Sequence, residues 1–131
     1  MNKKLNCVML IDDDVDDNFF HEMALREADI TENIKVAESG FEALDFLSKE
    51  PTTPDLIFLD INMPKMNGWE FLNEYSKLET EKKAKMVIIM LTTSLNPADE
   101  AKAKQMSDII TFKTKPLTTE MVEDVLKTYF K

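Results

Sequence analysis

Short, almost uninterrupted apolar runs alternate along this chain with segments whose apolar residues recur at helical spacing. The runs are LNCVMLI (5–11), NIKVA (33–37), DLIFL (55–59), MVIIML (86–91) and DIITF (108–112). Such runs suit strands covered on both faces. Between them, Phe20, Met23, Ala24 and Ala28 fall on one predicted helix stripe, Ala43, Leu44 and Leu47 on a second, and Trp69, Leu72 and Tyr75 on a third. Met121, Val122, Val125, Leu126 and Tyr129 form the last. Strand–helix alternation of this kind specifies an α/β fold, a doubly wound parallel sheet with crossover helices on both faces. The helix expected within NPADEAKAKQM (96–106) differs, because Ala98, Ala101 and Met106 give it only a thin apolar side, so its docking should be weak.

With 131 residues the chain is read as one domain, residues 1–131, with no output domain of its own. No stretch has the apolar length of a membrane span, and MNKKLNCVMLIDDD breaks into acids too early for a secretory signal, so a cytoplasmic protein without a membrane partner is expected. A net charge of −9 opposes binding to a phosphate backbone, which argues against nucleic acid. The basic cluster EKKAKM (81–86) reads as a solvated loop. Cys7, the one cysteine, sits in an apolar run and reads as a buried structural thiol. His21, the one histidine, lacks the partners of a transition-metal site and is expected on a helix surface.

The chemistry gathers at the strand ends. In open parallel sheets ligands bind beyond the carboxyl ends of the strands, and right-handed crossovers bring those ends to one edge. The first run ends on IDDD (11–14), the third on Asp60, the fourth on Thr92 and the fifth on KTKP (113–116). Asp12, Asp13 and Asp60 would then converge near Lys115 and the Thr92 hydroxyl. Two carboxylates about 4 Å apart repel by about 4 kcal/mol at an effective dielectric near 20, comparable to a domain's stability margin. Lys115 offsets part of that, and a divalent ion bound by hard oxygens, Mg²⁺ for preference, would offset the rest. Asp14, Asp16 and Asp17 open a helix and suit its positive end, as capping acids rather than metal ligands.

These residues resemble the receiver domain of two-component response regulators. LIDDD offers the acidic pair, LDINMPKMNG fits the D-x-x-M-P-x-M-x-G stretch around the phosphoacceptor, IIMLTTS carries the switch hydroxyl and TKP the Lys-Pro. The resemblance spans nearly the whole chain, in order. It implies a flavodoxin-like (βα)5 sandwich with strand order 2-1-3-4-5 and a phosphorylation switch that catalyses only its own phosphotransfer and dephosphorylation. By the same resemblance Asp60 is the nucleophile, taking a phosphoryl group from a sensor histidine kinase or a histidine phosphotransfer protein. Asp13 and Asp60 would hold Mg²⁺ directly with the backbone carbonyl of Asn62, and Asp12 largely through water.

Lys115 and Thr92 would contact the added phosphoryl group, with Thr92 coupled to Phe112. A downstream protein would bind the face formed by the fourth helix, fifth strand and fifth helix, and the protein would be a monomer or a weak, phosphorylation-linked dimer. Pro64, Gly68 and Pro116 shape the loops, and Asn62 and Ser94 stand where, in the family, water reaches the phosphoryl group. There are departures from the pattern: Phe112 where a tyrosine is frequent, Ser107 where many receivers carry glycine, and an extra residue between Thr92 and Lys115.

Two rival readings follow from the same residues. A haloacid dehalogenase-like phosphotransferase would use Asp12 as nucleophile within MLIDDDVDD, but Asp16 stands where such enzymes have Thr or Val, no acidic pair ends a strand after Lys115, and LIFLDINMP goes unexplained. A receiver-fold binding module would signal without phosphorylation, which the full set of reactive residues argues against.

Overall fold

The computed structural model describes residues 5–49, 54–77, 87–93, 97–105 and 109–130. Among them, strands and helices alternate: β1 (Val8–Ile11), α1 (Val15–Ala28), β2 (Ile34–Ala37), α2 (Gly40–Lys49), β3 (Leu56–Asp60), α3 (Gly68–Tyr75), β4 (Val87–Thr92), α4 (Pro97–Lys104), β5 (Ile109–Thr114) and α5 (Thr119–Tyr129). The sheet is parallel throughout, in the order β2-β1-β3-β4-β5. This is the predicted doubly wound architecture, with strand order reversing beside β1.

Alternation along each strand divides the core in two. Met9, Ile11, Ile57, Leu59, Ile88 and Met90 face α2 and α3, where Ala43, Leu47, Phe71, Leu72 and Tyr75 are buried against them. Val8, Leu10, Leu56, Phe58, Ile89 and Leu91 face α1 and α5, against Leu25, Val122, Val125 and Leu126. Each fully buried Leu, Ile or Phe contributes about 2 kcal/mol to folding. Because both faces of β1, β3 and β4 are covered, their sequences are apolar without a polar alternate. Cys7 is buried as expected, and burial, then the nearby Asp55 charge, push its thiol pKa up.

Local signals set the helix ends. Asp14 is the N-cap of α1, accepting from the Asp16 and Asp17 N–H groups, and Asp29 closes it in the left-handed region at φ 54°. Asn67 and Glu70 form a reciprocal capping box at the start of α3. Pairing between β4 and β5 steps from Ile88↔Ile109 to Ile89↔Thr111, an irregularity that accommodates an extra residue at Ile110.

Several packing expectations are corrected. His21 is buried, and α1 turns Asn18, His21, Ala24 and Leu25 inward, while Phe20 and Met23 are 58% and 52% exposed. The inner face of α1 lies beside the acidic strand ends, so polar side chains occupy positions that an apolar stripe would have claimed. Tyr129 is also exposed, past the last buried turn of α5. Ala98 and Ala101 of α4 are exposed too, so its thin apolar side is not what docks it. Met106, Ser94, Ser107 and the cluster at 81–86 lie outside the described residues. None of the described helices is long and apolar enough to cross a membrane.

Candidate functional site

The carboxyl ends of β1, β3, β4 and β5 meet at one edge, as the parallel topology requires. Asp12 follows β1 directly, with its N–H bonded to the Ala37 carbonyl of β2. Asp60 is the last residue of β3, opposite Leu91 in the β4 register, and Thr92 ends β4 opposite Thr114. The Lys115 N–H donates to the Thr92 carbonyl at 2.8 Å, which ties the lysine's backbone to the β4 end. Pro116 follows through a cis peptide bond.

Asp12, Asp60 and Thr92 are buried, whereas Asp13 is exposed. Carboxylate oxygens from Asp12, Asp13 and Asp60 lie within 4.8 Å of one another. That set suits Mg²⁺, whose octahedral shell at about 2.0–2.1 Å puts opposite ligand oxygens about 4 Å apart. Hard carboxylate donors, one of them exposed so that water and a phosphate have room, fit this ion better than a zinc-like one.

Lys115 is the counter-charge already in place. Its Nζ donates to Asp12 Oδ2 at 2.7 Å and Asp17 Oδ2 at 2.8 Å, and lies 3.2 Å from Asp60 Oδ1. Burial alone would lower the lysine's pKa, but the hydrogen bonds to Asp12 and Asp17 and the charges of Asp12 and Asp60 hold it above its ordinary value. Asp60 shifts the other way from a usual ion-paired carboxylate. Burial, then repulsion from Asp12, push it up to about 6, against the pull of Lys115 and of the Asn62 N–H that donates to it. Burial and the Asp12 charge thus outweigh Lys115 at Asp60.

Two further polar groups anchor the β1 end. The Asp14 N–H donates to Asp12 Oδ1 at 2.9 Å, and Asn18 Nδ2 to the Asp12 carbonyl at 2.8 Å. His21 lies near this network, and burial, then the Lys115 charge, lower its pKa.

Gly68 is needed for close approach: a Cβ there would stand 2.8 Å from the Asp60 carbonyl oxygen and 3.0 Å from Ile61 Cα. Its N–H closes the loop after Asp60 by donating to the Ile61 carbonyl at 2.8 Å. The left-handed turn residue is Lys65, next to Pro64, at φ 67°.

Thr92 falls in the same alternation as Ile88 and Met90, so it shares the α2/α3 face of the sheet with Phe112, which is half-buried against that core. Trp69 packs edge-on to Phe112 and donates from Nε1 to Asp99 of α4 at 3.2 Å, while Lys102 of α4 stands over its ring at 5.2 Å. The sequence puts Trp69 on a packing stripe and Asp17 among capping acids, and the structure adds the contacts of Trp69 with α4 and of Asp17 with Lys115. The lone tryptophan at the head of α3 was visible, but its reach to α4 was not.

The family model described as "Response regulator receiver domain" matches residues 8–127. A two-component response regulator of Cytophaga hutchinsonii, solved by crystallography, superposes with a TM-score of 0.88 at 32% identity, over 95% of this chain and 96% of that one. Sporulation initiation phosphotransferase F of Bacillus subtilis is 30% identical over 88% of this chain and 89% of its own length. The sensor histidine kinase CheAY of Helicobacter pylori is 31% identical over 95% of this chain. The chain spans only 15% of that kinase, and 53% and 27% of two other curated relatives.

Proposed function

This chain belongs to the response regulator receiver family, and on that premise we propose that it is a phosphorylation-controlled switch whose acceptor is Asp60. The observation that carries the reading is the position of Asp60: buried at the end of β3, within 4.8 Å of two other carboxylates by their oxygens and 3.2 Å from Lys115. In the reaction a carboxylate oxygen of Asp60 attacks the phosphorus of a phosphohistidine. The O–P bond forms as the P–N bond breaks, and the imidazole keeps the bonding pair. A kinase or phosphotransfer protein as donor is supported by relatives whose names include both activities.

Asp13, Asp60 and the Asn62 carbonyl would hold Mg²⁺, with Asp12 acting through water, and the ion would supply positive charge to the phosphoryl oxygens. Lys115 places its ammonium beside the same oxygens. Thr92 gives its hydroxyl to the new phosphoryl group, and its movement frees space on the face that holds Phe112. Trp69 links that face to α4, so a target protein reading α4, β5 and α5 would sense the change.

The test uses acetyl phosphate or phosphoramidate with Mg²⁺. The expected product is an acid-stable, base-labile adduct in the wild-type protein, absent from Asp60→Asn and from protein treated with a chelator. An adduct that persists in Asp60→Asn contradicts the reading.

A further inference from the structure

Lys115 is shared with a carboxylate that phosphoryl transfer, as set out above, leaves unused. An ammonium has three donors. The two shortest contacts go to Asp12 at 2.7 Å and Asp17 at 2.8 Å, both on the β1–α1 side, and the acceptor Asp60 has the longest at 3.2 Å. Asp17 is not required for the helix cap, because Asp14 fills that role and accepts from the Asp17 N–H. Its carboxylate instead reaches across 98 positions of sequence to the lysine. The Lys115 side chain is 9% exposed and that of Asp17 35%, so the pair sits at the lip of the site.

We propose that Asp17 is a positioning residue that holds Lys115 on the α1 side in the unphosphorylated protein, in competition with the phosphoryl oxygens on Asp60. The proposal rests on the reading of Asp60 as the phosphoacceptor. A phosphoryl group on Asp60 presents several charged oxygens, and the ammonium that serves them turns away from Asp17. The Lys115–Asp17 pair therefore stabilises only the unphosphorylated form, and its strength is subtracted from phosphoryl affinity. Asp17 sets how readily the switch is thrown.

Beryllofluoride with Mg²⁺, a mimic of the phosphoryl group, tests this directly. A half-exposed ion pair of this kind corresponds to a change of about three- to fivefold in an equilibrium. Asp17→Asn should bind beryllofluoride tighter by that factor and take phosphate from phosphoramidate faster at subsaturating donor, and Asp17→Glu should return both towards wild type. In a Lys115→Met background Asp17→Asn should have no effect, because the partner it releases is gone. Unchanged or weaker binding in Asp17→Asn overturns the proposal, as does an equal gain in the Lys115→Met background, which would mark simple charge repulsion. If Lys115→Met does not fold, Asp16→Asn, which removes the same charge one residue away, decides: an equal gain in beryllofluoride affinity there overturns the proposal. Wild-type protein that binds no beryllofluoride overturns the phosphoacceptor reading as well, so the two failures are distinguishable.

Discussion

Trp69 and Phe112 meet edge to face, their ring centroids 6.3 Å apart and their planes at 64°. One ring opens α3, directly after the loop that follows Asp60, and the other lies on β5, on the same face of the sheet as Thr92. The same indole is hydrogen-bonded to Asp99 and covered by Lys102, both on α4. A helix whose Ala98 and Ala101 are exposed is thus joined to the site side of the molecule by an aromatic side chain.

Because Trp69 is the only tryptophan, its emission reports this contact without labelling. Beryllofluoride with Mg²⁺ should change the emission of the wild-type protein. In Phe112→Ala the ligand should still bind, with most of the spectral response lost. A full response in Phe112→Ala would show that the ring pair does not carry the movement.

The acid titration of Asp60 has a defined sign. Its folded pKa, raised from 3.8 to about 6, lies above the unfolded value, so the folded protein binds the proton more tightly. Its contribution to stability is complete below the unfolded pKa and is lost as pH rises through about 6, by up to about 3 kcal/mol for metal-free protein. Asp60→Asn should therefore be more stable than wild type at pH 7, with the advantage shrinking towards pH 4. Mg²⁺ should narrow the gap by stabilising the wild-type carboxylate. Urea unfolding of both proteins at the two pH values, with and without Mg²⁺, checks this, and a constant difference between them would contradict it.

Gly68→Ala tests the close approach behind Asp60. Besides Met90 Cε at 3.0 Å, the added methyl meets backbone that cannot swing aside: the Asp60 carbonyl at 2.8 Å and Ile61 Cα at 3.0 Å. We expect a loss of about 1–3 kcal/mol in unfolding free energy. Asp60 also moves with its backbone, so phosphorylation by phosphoramidate should slow by more than the change in folded population. An unaltered rate in a fully folded variant would mean that the loop does not position Asp60.

The strands were legible because burial on both faces leaves an almost pure apolar signal, as in Leu56 to Leu59 and Ile88 to Leu91, and the site was legible because its acids interrupt that signal at strand ends. The inner face of α1 was not. Asn18 and His21 are polar yet buried beside the Asp12 network, and Phe20 and Met23 are apolar yet exposed. Periodicity assumes that apolar residues face inward, an assumption that fails next to a charged site. Nor could spacing reveal that Asp17 would meet Lys115, since that contact exists only once β5 pairs with β4 and brings its end to the common edge. Nor does the sequence show why glycine stands at position 68, since the close approach to Asp60 and Ile61 exists only in the folded chain.

The most direct measurement is the chemical position of the phosphoryl group. Borohydride reduces an aspartyl phosphate to homoserine, which peptide mass analysis locates residue by residue. After reaction with phosphoramidate and Mg²⁺, homoserine should replace Asp60 and no other aspartate. Homoserine at position 12, or none anywhere in protein that binds Mg²⁺, would contradict the account.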